Sequence, residues 1–222
     1  TSLRCDWSSD VCSSDLTIEL ISLFGTLLLA LSAVRAQAET PKRGGTLVWS
    51  IGTTPRHLNP AVQSGIATGA PGAQLFATLV RFDDKWNAHP YLAKSWQTSA
   101  DGLSVTFNLV EGATFHDGTP ITSKDVAFSI KTIKANHPFK TMFRAVSSVE
   151  TPNANTVVFK LSQPHPPLML ALSSQLGSII PEPIYGDGQH PKKHPRNPKD
   201  VVGSCPFKLV EFVRDQHIIM ER

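Results

Sequence analysis

The 222-residue chain carries 21 Lys+Arg against 18 Asp+Glu, a formal net charge of +3 at pH 7. A surplus that small, spread along the chain and gathered into no dense stripe, excludes the electrostatic footprint of a nucleic-acid binder. Of its 3 cysteines, Cys5 and Cys12 lie in an atypical N-terminal stretch and only Cys205 remains, so no intrachain disulfide framework is expected.

Residues 6–16 read DWSSDVCSSDL. The string has no apolar period and nothing to bury. It looks like a sequencing adaptor translated in frame, and residues 1–16 are expected to be disordered and to lie outside the fold. Residues 20–34, LISLFGTLLLALSAV, are followed by Arg35 and by AQA at 36–38. A short apolar core closed by small residues is the pattern of a secretory signal peptide, and it falls short of the about 20 residues that span a bilayer. Glu19 stands where a basic residue belongs, so residues 17–38 read as a truncated signal peptide with cleavage after Ala38. No cysteine follows the apolar run, so no lipoprotein anchor is expected. The remaining 184 residues carry a formal charge of +5. The chain ends in HIIMER, inside a strand-like apolar run, so residues 39–222 read as part of a longer protein. Expressed alone, they are expected to leave apolar strand edges uncovered and to aggregate.

Along this remainder, GGTLVWSI at 44–51 is a buried-strand candidate, and TTPRHLNP at 53–60 is a loop whose path two prolines fix. Leu75, Phe76 and Leu79 have helical spacing within residues 71–80. KSWQTS at 94–99, the turn pair Asp101-Gly102 and the alternating Leu103, Val105, Phe107 and Leu109 predict a hairpin. FHDGTPIT at 115–122 opens a helix that Thr122 caps, with Asp125 as its reciprocal partner and Val126, Ile130 and Ile133 as its apolar stripe. Val157, Phe159 and Leu161 mark a strand over 156–161. Residues 167–176 read as a short apolar helix entered through prolines, Ile179-Ile180 as a brief strand, and 186–198 as loop. Two last strands, 207–212 and 218–220, flank Arg214-Asp215. Helices and strands interspersed in this way give an α/β or α+β class with a mixed sheet.

Taken together, GGTL, LNP (58–60), YLAKSW (91–96), SADGLSVTFNL (99–109), FHDGTPIT–KDV (115–126), LSQPHPPLML (161–170) and PFKLVEF (206–212) resemble the extracellular solute-binding proteins of family 5, the dipeptide, oligopeptide and nickel group. The resemblance covers nearly all of residues 41–222, in order. It implies an α/β, mixed-sheet first lobe of a two-lobed periplasmic binding protein, incomplete here because family members are more than twice as long. It implies a non-enzymatic monomer that holds a peptide or small-molecule ligand in a cleft and hands it to an inner-membrane ABC permease, with no cofactor. It assigns the ligand wall to Gln63 and Ser64, then Met142 and Phe143, then Gln175 and Leu176. A nickel-chelate binder is the nearer alternative, an exported metal-dependent hydrolase the more distant one. One departure stands out. GSCPF at 203–207 has Cys205 where the family carries a glycine, so the turn is expected to be strained there.

Other residues invite chemistry. His116-Asp117 has the look of a catalytic or metal pair, yet Asp-Gly-Thr-Pro is turn chemistry and Asp117 can bond its own backbone two residues on. His190 and His194 have metal spacing only on a helix, which Pro191 and Pro195 forbid, so HPKKH reads as a solvated basic loop. Trp49, Trp86 and Trp96 read as core. No Ser-His-Asp order, P-loop or zinc spacing occurs, and no metal site is assigned.

Overall fold

The computed structural model describes residues 44–222; the adaptor-like stretch, the signal peptide and its cleavage point lie outside the described residues. The chain divides into Thr1–Trp49 and Ser50–Arg222, and the elements named below all belong to the second unit. They are α1 (Ile66–Leu75), β1 (Val80–Phe82), β2 (Ala88–Pro90), β3 (Ala93–Thr98), β4 (Ser104–Leu109), α2 (Ser123–Asn136), β5 (Val146–Asn153), β6 (Thr156–Leu161), α3 (Leu168–Ala171), α4 (Glu182–Tyr185), β7 (Lys208–Val213) and β8 (His217–Glu221). Among the described residues no helix is long and apolar enough to cross a membrane.

Two six-residue strands of strict alternation make the centre. In β4 Val105, Phe107 and Leu109 turn inward, in β6 Val157, Phe159 and Leu161. They pair antiparallel with Phe107 opposite Val157 and Val105 opposite Phe159, within a four-stranded sheet of order β3-β4-β6-β5. The Phe107 and Phe159 rings meet edge-on at 5.2 Å. Over β5 and β6 lies α2, whose Val126, Ile130 and Ile133 are fully buried. Its start is tied down twice, since Ser123 N–H donates to the Ala154 carbonyl and Ser123 Oγ to the Asn153 carbonyl. Two hairpins, β1-β2 and β7-β8, complete the strands, and the pairings are antiparallel. The α/β class thus holds as a mixture of helices and strands, with antiparallel sheets among the described residues.

Three expectations need correction. Residues 44–51 form no strand: Leu47 and Val48 are 89% and 86% exposed, because an extended run gains nothing without a partner for its N–H and C=O groups, and it has none among the described residues. The helix expected within 71–80 lies earlier and ends at Leu75, where Phe76 turns extended. Residues 75–80 are buried throughout, and a continuous apolar run cannot declare its own period. The pair Ile179-Ile180 belongs to no assigned strand; the chain makes one antiparallel bridge there, Thr78 to Ser178, and Ile179 N–H donates to the Ala77 carbonyl.

Candidate functional site

The segment TTPRHLNP is rigid although it has no regular structure. Asn59 Oδ1 accepts the Ala61 N–H at 2.9 Å, and His57 Nδ1 accepts the Asn59 N–H at 3.2 Å. From outside the loop, Asn197 receives the Leu58 N–H on its carbonyl at 3.0 Å and the Asn59 side-chain amide on its Oδ1 at 2.8 Å. Thr68 Oγ donates to the His57 carbonyl at 2.9 Å, joining the loop to α1. At Gly72 the helix lies directly on the loop, since a Cβ there would come within 2.8 Å of Pro60.

Between loop and helix opens a depression of about 350 Å³, lined by Thr53, Thr54 and Arg56 on one side and by residues 63–68 on the other. Both first-named ligand-wall residues, Gln63 and Ser64, stand in it, and the Gln63 amide donates to the Ser64 carbonyl at 3.2 Å. Gly65, with φ 101°, turns the chain into α1 and brings no capping side chain. Gln175 lies next door: its Cγ would sit 3.4 Å from a Cβ at Gly69, one turn further along α1.

The remaining candidates stand apart from this lining. Met142 is half-buried, and its carbonyl receives His165 Nε2 at 2.9 Å. Leu176 is half-buried against the core, and Phe143 is fully buried within it. As folded here, Phe143 is core and presents no surface to a solute. Sequence reasoning did not single out Thr53, Thr54 and Arg56. Loop residues carry no period, and only their place just before the anchored LNP could have marked them.

One buried group is unsatisfied. His137 Nδ1 accepts the Phe139 N–H at 3.0 Å, so the proton belongs on Nε2. That atom is buried without a hydrogen-bond partner among the described residues. Burial holds the His137 proton affinity down, and it pushes His57 to a pKa of about 4, with the Arg56 charge adding to the effect.

The other tempting groups are structural. His116 Nδ1 accepts the Gly203 N–H at 3.0 Å and Nε2 donates to the Cys205 carbonyl at 2.8 Å, so neither nitrogen is free for a metal or a proton transfer. Asp117 Oδ1 takes the Thr119 N–H and hydroxyl, as its turn chemistry requires. The solvated-loop reading holds for His190, Lys192 and Lys193, which are exposed, and fails for His194. That residue is 3% exposed, packs its ring against Tyr185 in a tilted arrangement at 4.8 Å and donates to Asp187 Oδ2 at 3.2 Å. Trp96 is half-buried against Phe107, whereas Trp49 and Trp86 are 56% and 67% exposed, against the core assignment. Trp86 sits in the β1-β2 turn with φ 63°, where a turn tip cannot reach the core. Among the described residues no group of three His, Cys, Asp or Glu could hold a metal ion.

The geometry can be set beside known proteins. The family model of the bacterial extracellular solute-binding proteins, family 5 (middle), matches residues 87–222. A Brucella ovis protein named for ABC-transporter peptide binding is 36% identical over 173 residues, 73% of this chain and 31% of that protein. The chain therefore spans about a third of the length of the curated relatives it matches. Among solved structures, the ABC transporter substrate-binding protein CtaP of Listeria monocytogenes superposes with a TM-score of 0.73 at 30% identity, over 82% of this chain and 37% of that one. NikZ of Campylobacter jejuni, solved with Ni(L-His), superposes with a TM-score of 0.65 at 29% identity, over 72% of this chain and 32% of that one.

Proposed function

The chain belongs to the bacterial extracellular solute-binding proteins of family 5, and on that premise we propose that it supplies one wall of the ligand cleft of a periplasmic ABC-importer component. The observation that carries this reading is the depression beside α1, which gathers Gln63 and Ser64 on an anchored loop with Gln175 alongside. A peptide or similar small solute binds against this wall and a second lobe closes over it. Contacts made to both lobes shift the population toward the closed form, which the inner-membrane permease engages. No bond is made or broken. The protein works as a monomer, exported by residues 17–38.

Thermal-shift titration of the full-length protein, with both lobes, against a dipeptide series, Ni(L-His) and opines tests the ligand class. Stabilisation by dipeptides is the expected outcome, through binding to the folded state alone. Stabilisation by Ni(L-His) alone assigns a metal-chelate carrier instead, in line with the NikZ likeness. Hydrolysis of a substrate that is lost in His116→Ala, with no solute binding, would overturn the carrier reading. Export has its own check: N-terminal sequencing of the periplasmic fraction should begin at Glu39.

A further inference from the structure

Residues 192–199 concentrate four cations, Lys192, Lys193, Arg196 and Lys199, in a chain whose overall surplus is only +3. Arg196 is turned back on the loop, its Nε donating to the Asp200 carbonyl at 2.8 Å. Lys192, Lys193 and Lys199 are exposed and make no ion pair among the described residues. The acidic residues at either end of the loop do not neutralise them. Asp187 is committed to Gln189 and His194, and Asp200 pairs with none of the three lysines. The backbone beneath is fixed. Asn197 Nδ2 donates to the Pro191 carbonyl at 2.7 Å and its N–H to the His194 carbonyl at 3.0 Å, folding 191–197 into a knuckle. His194 and Asn197 are buried, Tyr185 Oη donates to the Arg196 carbonyl at 3.3 Å, and Pro191, Pro195 and Pro198 restrict the path further. A loop with its anchors inward and its lysines outward presents charge at little cost in chain entropy.

We propose that this knuckle is an electrostatic docking surface for anionic phospholipid headgroups. Its composition favours a lipid surface over a protein one. Protein interfaces are built round aromatic, Met and Arg anchors and are depleted in lysine. Residues 186–199 hold three lysines and no Phe, Tyr, Trp, Met or large aliphatic side chain. Lysine is a compact, hydrated point charge, suited to a diffuse layer of phosphates in which each cation adds attraction without a shaped partner. Attachment of this kind is peripheral, reversible and screened by salt. A carrier so held searches for its permease across a surface, so the inference extends the proposed function without depending on the ligand wall.

The test uses the full-length protein, with both lobes and without the apolar stretch 20–34, so that only surface charge can attach it. Co-sedimentation is measured at low ionic strength with vesicles of phosphatidylcholine alone and of an equal mixture with phosphatidylglycerol. Partition is expected onto the mixed vesicles alone and should vanish at high salt. Replacing one lysine by glutamine should weaken it roughly fivefold, and Lys192→Gln, Lys193→Gln and Lys199→Gln together about a hundredfold. The thermal unfolding midpoint should stay where it is, because the three side chains are exposed and unpaired. Arginine at the same three positions should keep the partition, since the charge remains. Equal sedimentation with both kinds of vesicle, or mixed-vesicle binding that survives the triple glutamine substitution, overturns the proposal. Capture by immobilised polyglutamate with no vesicle binding assigns an acidic protein face instead and overturns the lipid assignment. The carrier reading stands in each case, because solute binding is measured separately.

Discussion

The Gly203 carbonyl receives the His116 N–H at 2.8 Å, and its own N–H donates to His116 Nδ1 at 3.0 Å. Next to it, Ser204 and Cys205 N–H both donate to the Leu75 carbonyl, at 2.8 and 3.1 Å, closing the C-terminal end of α1. A Cβ at Gly203 would lie 1.8 Å from that same carbonyl oxygen, so the turn demands glycine at 203 by close approach. Cys205 has no positive φ and its thiol is buried, 3.1 Å from Tyr91 Oη. The strain expected at Cys205 is therefore absent. Gly203→Ala should lower the unfolding free energy by about 3 kcal/mol, the upper range for overpacking against backbone that cannot give way. Cys205→Gly should also destabilise, by about 1–2 kcal/mol from lost burial and added chain entropy; chemical denaturation measures both, and a more stable Cys205→Gly would restore the strain argument. His57 gives the pH dependence. Its folded pKa of about 4 lies below the ordinary imidazole value of 6.5, so between those values the unfolded chain binds a proton that the folded chain refuses. Stability is fully present above pH 6.5 and falls as pH drops toward 4, by at most about 3 kcal/mol. Burial depresses His116 and His137 as well, so they act in the same direction. His57→Asn, which keeps an acceptor for the Asn59 N–H, should flatten the acid limb of a melting-point-against-pH curve.

At the scale of elements, α2 depends on one buried carboxylate. Asp125 Oδ2 accepts the Thr122 N–H at 2.8 Å, closing the capping box, and Oδ1 accepts the Glu182 N–H at 2.9 Å, holding α4 to the helix. Ser129 adds a second tie, its Oγ accepting the Ile180 N–H at 2.9 Å. An exposed cap contributes about 1 kcal/mol; here two donors at a residue only 4% exposed would lose their acceptor. Asp125→Ala is thus expected to cost about 3 kcal/mol, and Asp125→Asn less, because one oxygen remains. An equilibrium denaturation series separates the two. The capping box, the β4 and β6 alternation, the Asp101-Gly102 hairpin and the Arg214-Asp215 hairpin were all legible in the sequence, because each is set by contacts within a few residues. The strand β5 was not. It is an edge strand whose residues are mostly exposed, so no alternation marks it, and its existence depends on β6 offering a free edge.

Over the whole molecule, the proposed binding wall depends on contacts that cross long sequence distances. Asn197 reaches Asn59 over 138 residues, and Gln175 comes to lie on α1. The 186–198 loop is therefore more than a solvated connection; its buried Asn197 holds the loop that leads into Gln63 and Ser64. Asn197→Ala should weaken solute binding measured by the same titrations and should lower stability by about 1–3 kcal/mol, because it strands the buried Asn59 amide. By itself the sequence determined the class, the central strands, the capped helix and the family, since periodicity, turn chemistry and ordered motifs are local and survive without coordinates. Only the tertiary structure decided that residues 44–51 stay unpaired, that α1 ends at Leu75, that Phe143 is core, and that Thr53, Thr54 and Arg56 join Gln63 and Ser64 in one depression. Pairing, burial and concavity are relations between distant segments, and no single segment encodes them.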